Sequence, residues 1–218
     1  MLKDLEMLEK KIKDKKGLML VLSSPSGAGK TSLCKKLLKL DKNLAMSISA
    51  TTRPKRNSEI NGKDYYFISE QRFRSEKNRG NFIETANVFG YCYGTPKNYV
   101  EKKLENGTDV IFDIDWQGSQ KLADYSKNDL VSIFILPPNT SELRERLKKR
   151  NEDSLRTVNK RMNEAKSEIS HWIEYDYVLI NTDLDKCTKK IYSILQVERL
   201  KRKRQTNLYD FINKLLKE

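Results

Sequence analysis

The sequence has 218 residues, enough for one α/β domain with small insertions and a core that needs neither disulfide nor metal. Its 43 Lys and Arg stand against 30 Asp and Glu, a formal net charge of +13 that draws anionic partners without choosing among them. Cys34, Cys92 and Cys187 form no zinc spacing or redox pair, the first sixteen residues are too charged for a secretory signal, and no apolar run reaches membrane-spanning length, so a cytoplasmic protein with reduced thiols is expected.

Leu2, Leu5, Leu8 and Ile12 recur at helical spacing and predict a short amphipathic helix over residues 1–16. Leu18-Met19-Leu20-Val21-Leu22 then reads as a buried strand that runs into Ser23-Ser24-Pro25-Ser26-Gly27-Ala28-Gly29-Lys30-Thr31. This is a phosphate-binding loop of the G-x-x-x-x-G-K-[ST] type, with Ser24 in place of the first glycine. Gly27 and Gly29 let successive N–H groups wrap an anion, and the helix expected from Lys30 to about Leu40 adds the positive end of its dipole. In this reading Ser24 to Thr31 cradle a triphosphate, Lys30 reaches its β- and γ-phosphates, and the Thr31 hydroxyl ligates Mg²⁺.

From Ser47 to about Lys103 the pattern changes to short β-like runs, Tyr65-Tyr66-Phe67-Ile68 and Asn81-Phe82-Ile83-Glu84, parted by the turn pairs Asn61-Gly62 and Arg79-Gly80. An inserted, mostly β subdomain is expected there. Asp109 to Asp115 returns to buried-strand character, and its Asp113 is placed to hold Mg²⁺ beside the phosphate loop. Leu130 to Leu136 is another strand, stopped by Pro137-Pro138. Ser141 to Lys149 and about Ser154 to Tyr175 read as charged helices, Tyr177 to Ile180 as a last strand, and the rest as helix. The fold class is α/β: a P-loop NTPase-type parallel sheet with helices on both faces.

The segment Ser49-Ala50-Thr51-Thr52-Arg53-Pro54-Lys55-Arg56 sets two arginines on a Pro-stiffened loop. Guanidinium forks match phosphate oxygens, and Tyr65 and nearby hydroxyls could complete a second phosphate site; an ordinary basic surface loop is the competing reading. Thr51-Thr52-Arg53-Pro54 with Arg56, then Glu59 to Phe67, strongly resembles the guanylate kinase family. So do Phe82-Ile83-Glu84, Tyr93-Gly94-Thr95 and Asp113-Ile114-Asp115-Trp116-Gln117-Gly118, and the likeness runs from about Leu18 to Leu195.

The resemblance implies an Mg²⁺-dependent kinase of the reaction ATP + GMP → ADP + GDP, serving purine nucleotide metabolism. It implies one domain over 1–218: a core (about 1–46, 104–140 and 168–218), a GMP-binding subdomain (about 47–103) and a helical lid (about 141–167). Arg53, Arg56, Tyr65 and Tyr93 would hold the GMP phosphate, while Ser49, Glu84, Thr95 and Asp115 would face guanine. The acceptor-only carboxylate of Glu84 suits guanine's adjacent N1–H and exocyclic amine, and would be left unpaired by adenine. Arg146, Arg150 and Arg161 would be lid arginines acting with Lys30 and Arg53 on the transferring phosphoryl group, and Asn181 would lie near adenine. No general base is required, because a monophosphate acceptor is already ionised at neutral pH, and the single histidine, His171, reads as structural.

Two other readings stay open. A guanylate-kinase-like scaffold module binds phosphopeptides instead of making GDP, but such relatives typically have a degraded phosphate loop, and Lys30-Thr31 is intact. The basic run Arg199 to Arg204, followed by Leu208, Tyr209, Phe211, Ile212, Leu215 and Leu216, could serve nucleic acid, a second subunit or simply the core.

Overall fold

The computed structural model describes residues 16–57, 59–88, 90–148 and 155–218. The expected helix at the N-terminus and Arg150, expected in a lid, lie outside them. Nine strands and eight helices longer than a single turn can be followed among the described residues.

The core is a five-stranded parallel sheet in the order β2-β7-β1-β8-β9. Its strands are β1 (Met19–Ser23), β2 (Leu44–Met46), β7 (Asp109–Asp113), β8 (Leu130–Leu136) and β9 (Tyr177–Ile180). Alternation along β1 sends Leu20 and Leu22 to one face and Met19 and Val21 to the other, and all four are fully buried. The Leu20 face packs on Leu33 and Leu37 of helix α1 (Lys30–Leu40) and on Ile191 and Leu195 of α7 (Leu184–Leu200). The Met19 face packs on Val100 and Leu104 of α3 (Lys97–Glu105) and Leu122 of α4 (Trp116–Ser126). A strand covered on both sides has no polar face to show, which is why β1 reads as an unbroken apolar run.

A second sheet, ordered β4-β3-β6-β5, is formed by β3 (Ala50–Thr51), β4 (Tyr66–Phe67), β5 (Phe82–Val88) and β6 (Tyr91–Pro96). Helix α2 (Glu70–Asn78) connects β4 to β5, capped by Ser69, whose hydroxyl accepts from the Arg72 N–H. Only Phe73 of α2 is buried, stacked on Phe82 at 4.8 Å. The two charged helices expected after β8 are α5 (Thr140–Lys148) and α6 (Leu155–Ser170), the latter ending in a 3₁₀ turn at His171–Glu174 rather than running to Tyr175. Leu143 and Leu147 of α5 meet Val158, Met162 and Ala165 of α6 in a small core of their own. No described helix is long and apolar enough to cross a membrane.

The C-terminal α8 (Leu208–Leu215) has no buried residue, whereas the basic run before it is partly internal. Arg199 joins Asp41 at 2.6 Å and Asp109 at 2.7 Å, and the other Asp109 oxygen accepts the Leu18 N–H at 2.9 Å. Arg204 is buried beside Glu198, which also accepts from the Tyr177 hydroxyl. Two of the three arginines between 199 and 204 are therefore engaged inside the fold. Replacing Arg199 with Met strands two buried carboxylates; chemical denaturation is expected to report a loss of about 3 kcal/mol or more.

Candidate active site

The sheet registers Leu22 of β1 opposite Asp113 of β7, so the loop leaving β1 starts beside the carboxylate that ends β7. Asp113 accepts from the Thr31 hydroxyl at 2.8 Å and lies 3.2 Å from the Lys30 ammonium, which also donates to the Ile114 carbonyl at 2.6 Å. Lys30 opens α1 with Gly29 as its N-cap. Gly27 and Gly29 both sit at positive φ, 93° and 101°, where a side chain would be strained. The loop is thus a nest of backbone donors at a helix N-terminus with one lysine, the arrangement that receives phosphate oxygens.

Ser24 is buried and its hydroxyl turns back to the Pro25 carbonyl; its small side chain fills the first-glycine position without obstructing the loop. Leu143 and Leu147 of α5 press on the loop at Gly27, where an added Cβ would stand 3.1 Å from each. Glu168 of α6 accepts the Ser26 N–H at 3.2 Å. Burial pushes the Glu168 carboxyl above its ordinary range, against the opposing pull of that N–H and of Lys30. A carboxylate therefore rests on one of the loop's own anion donors. Sequence reasoning missed Glu168; one glutamate in a charged helix carries no mark of this contact.

The second sheet forms the other half of the site. Arg53, half buried, binds Glu59 at 2.5 Å and the Pro54 carbonyl at 2.8 Å, and lies over the rings of Tyr65 and Phe67 at 5.5 and 5.7 Å. Tyr65 meets Tyr93 edge-on at 5.9 Å. Burial, and then the charge of nearby Asp113, push the Tyr65 hydroxyl up to about 12, so it stays a proton donor at physiological pH. Arg56 is exposed, its backbone N–H held by Glu59 at 2.8 Å. Glu59 is the second residue the sequence did not single out, although it opens one of the quoted motifs. Its carboxylate holds both the Arg53 guanidinium and the turn that carries Arg56.

Glu84 is buried on β5. It accepts from the Thr95 hydroxyl at 2.8 Å, and the Thr95 oxygen lies 3.2 Å from the Ser49 hydroxyl. Gly118 of α4 lies against it, where an added Cβ would stand 3.3 Å from Glu84 Oε2. Asp115 caps α4 by accepting the Gly118 N–H at 3.0 Å. Burial pushes the Glu84 carboxyl up to about 7; the Thr95 hydrogen bond opposes this and the Asp115 charge adds to it.

Of the arginines expected to act from a lid, Arg146 binds Glu142 at 2.9 Å and the Asn181 carbonyl at 3.2 Å, which brings it beside the phosphate loop. Arg161 lies half buried on α6. Asn181 is buried just beyond β9, with its side-chain amide on the Ala28 carbonyl.

The two halves meet at the end of β7. Asp113 touches the phosphate loop and acts on Tyr65, and Asp115 acts on Glu84. A parallel sheet that delivers a glycine loop, a lysine and a carboxylate to one edge, opposite an arginine–tyrosine pocket, defines a P-loop phosphotransferase. A sequence model described as guanylate kinase matches residues 16–198. Guanylate kinases of Novosphingobium aromaticivorans and Paramagnetospirillum magneticum are each 50% identical to this chain, over 93% and 92% of it and 92% and 94% of their own lengths. The crystal structure of guanylate kinase from Anaplasma phagocytophilum superposes with a TM-score of 0.77 at 38% identity, covering 91% of this chain and 95% of that one. The chain belongs to the guanylate kinase family.

Glu84 carries a testable energetic signature. Its carboxyl titrates near 4.5 when unfolded and near 7 when folded, so the folded state holds the extra proton between those values. The associated stability is complete below pH 4.5 and is lost as pH rises through 7. Urea denaturation of wild type and Glu84→Gln across this window is expected to show wild type losing up to about 3 kcal/mol relative to the variant.

Proposed function

We propose that this protein transfers the γ-phosphoryl group of ATP to GMP, giving ADP and GDP in the presence of Mg²⁺, and so returns GMP to the purine nucleotide pool. The observation that carries the reading is the shared end of β7, where Asp113 serves the loop and Asp115 lies beside the carboxylate of the second pocket. The buried free thiols Cys34 and Cys187 agree with a reducing, cytoplasmic setting.

In this reading Ser24 to Thr31 receive the ATP phosphates, with Lys30 released from Asp113 and the Ile114 carbonyl to meet the β- and γ-oxygens. Asn181 serves the same donor site. The Thr31 hydroxyl and the Asp113 carboxylate, 2.8 Å apart, are hard oxygen donors of the kind Mg²⁺ accepts while leaving its other positions to phosphate and water. When bound, the ion would offset phosphate charge as it shifts towards the leaving group. Arg53, Arg56, Tyr65 and Tyr93 take the acceptor phosphate, and the Arg53 guanidinium is already held by Glu59 at 2.5 Å. Arg146, Arg161 and Arg150 add positive charge to the equatorial oxygens during transfer. Positioning and charge balance suffice, since the attacking oxygen is already ionised.

Selectivity rests on Glu84, with Ser49, Thr95 and Asp115 around the base. An ionised Glu84 accepts both adjacent donors of guanine, and Thr95 holds the carboxylate in place. Steady-state assays with a panel of nucleoside monophosphates, ATP and Mg²⁺ test the whole reading: turnover should be confined to guanine acceptors. Glu84→Gln places a donor against a donor and is expected to lower kcat/KM for GMP by about a hundredfold or more. Lys30→Met is expected to reduce turnover by about a thousandfold while calorimetry still detects GMP binding; normal turnover would remove the loop from the mechanism.

A further inference from the structure

The backbone of the phosphate loop poses a question of its own. A loop that aims its N–H groups at an anion must turn its carbonyls the other way, and a buried carbonyl needs a donor. Ala28 is fully buried, and the hydrogen bonds of α1 begin only at the next carbonyl, with Leu33 N–H on Gly29. The donor that reaches the Ala28 carbonyl is the side-chain amide of Asn181, at 2.8 Å, from just beyond the edge strand β9.

Asn181 is itself held firmly. Its backbone N–H donates to the Leu136 carbonyl at 2.8 Å, continuing the β8–β9 pairing, and its own carbonyl accepts from Arg146 at 3.2 Å. Its amide nitrogen lies where no side chain at residue 29 could fit, since a Cβ on Gly29 would stand 2.6 Å from it. Its Oδ1 is buried without a hydrogen-bond partner among the described residues, a cost that the nitrogen's contact must offset.

We infer that Asn181 is a positioning residue for the phosphate loop, acting through the peptide between Ala28 and Gly29. In a planar trans peptide the carbonyl and the following N–H point in opposite directions. Fixing the Ala28 carbonyl towards Asn181 therefore aims the Gly29 N–H into the concave side of the loop. The contribution belongs to the phosphates and is blind to the base of the nucleotide. The inference rests on the loop's being the triphosphate site.

Binding of inorganic tripolyphosphate with Mg²⁺, which has no base, isolates this contribution. It is compared by calorimetry in full-length wild type, Asn181→Leu and the smaller Asn181→Ser, with GMP binding as the measure of an intact fold. Both variants are expected to bind tripolyphosphate about tenfold more weakly, to lose kcat/KM equally with ATP and inosine triphosphate, and to bind GMP normally. Unchanged tripolyphosphate affinity, or a loss confined to ATP, would overturn the inference in favour of contact with adenine. A parallel loss of GMP binding in both variants would reduce Asn181 to a general stabiliser and equally overturn it. A wild-type protein that ignores tripolyphosphate would instead remove the loop's assignment, and the inference with it.

Discussion

Parallel pairing of β1 with β7 determines where the charged groups around the phosphate loop stand. Side chains alternate across a strand, so a slip of one residue would replace Asp113 with Phe112 beside the loop and turn the carboxylate into the apolar packing under α3 and α4. Such a slip is blocked by the apolar residues themselves. Val110 and Phe112 fill one face and Ile111 the other, all fully buried. The hydrophobic core thus sets the position of an electrostatic site to within one pleat, with no polar contact needed to define it.

The second pocket works on the opposite principle. Glu84 has been taken out of water without a full cationic partner, its carboxylate steadied by a hydroxyl and by the close approach of α4 at Gly118. A group held this way is expensive to ionise until a ligand with two matched donors arrives. Arg53 is treated differently, already paired with Glu59 and lying against the rings of Tyr65 and Phe67. One pocket holds a desolvated carboxylate, while the other holds a guanidinium fork already fixed by its acid.

Much of this was legible in the residues. The strand and loop from Leu18 to Thr31 announce themselves because an apolar run and two required glycines each have one physical explanation. Helix α2 was not legible. It has a single buried side chain, Phe73, so its charged sequence shows no 3.6-residue stripe, and its start rests on one serine cap. The sequence left the basic stretch from Arg199 to Arg204 open between nucleic acid, a second subunit and the core, because its partners, Asp41, Asp109 and Glu198, are set by tertiary packing, two of them far away in sequence. Glu168 and the amide of Asn181 were hidden for the same reason: their partners are backbone atoms of the loop, and backbone atoms leave no trace in a sequence.

Gly27 faces two leucines of α5 so closely that an added methyl group would stand 3.1 Å from each and push them aside. The loop and that helix therefore share a wall, and their volumes are matched as a pair. A helix grafted in place of α5 from another kinase would carry its own side chains onto that wall. It would fit only if the graft brought residues of matching bulk at 143 and 147, whatever arginines it also supplied. Interchangeability of this helix is a question of steric fit before it is one of charge.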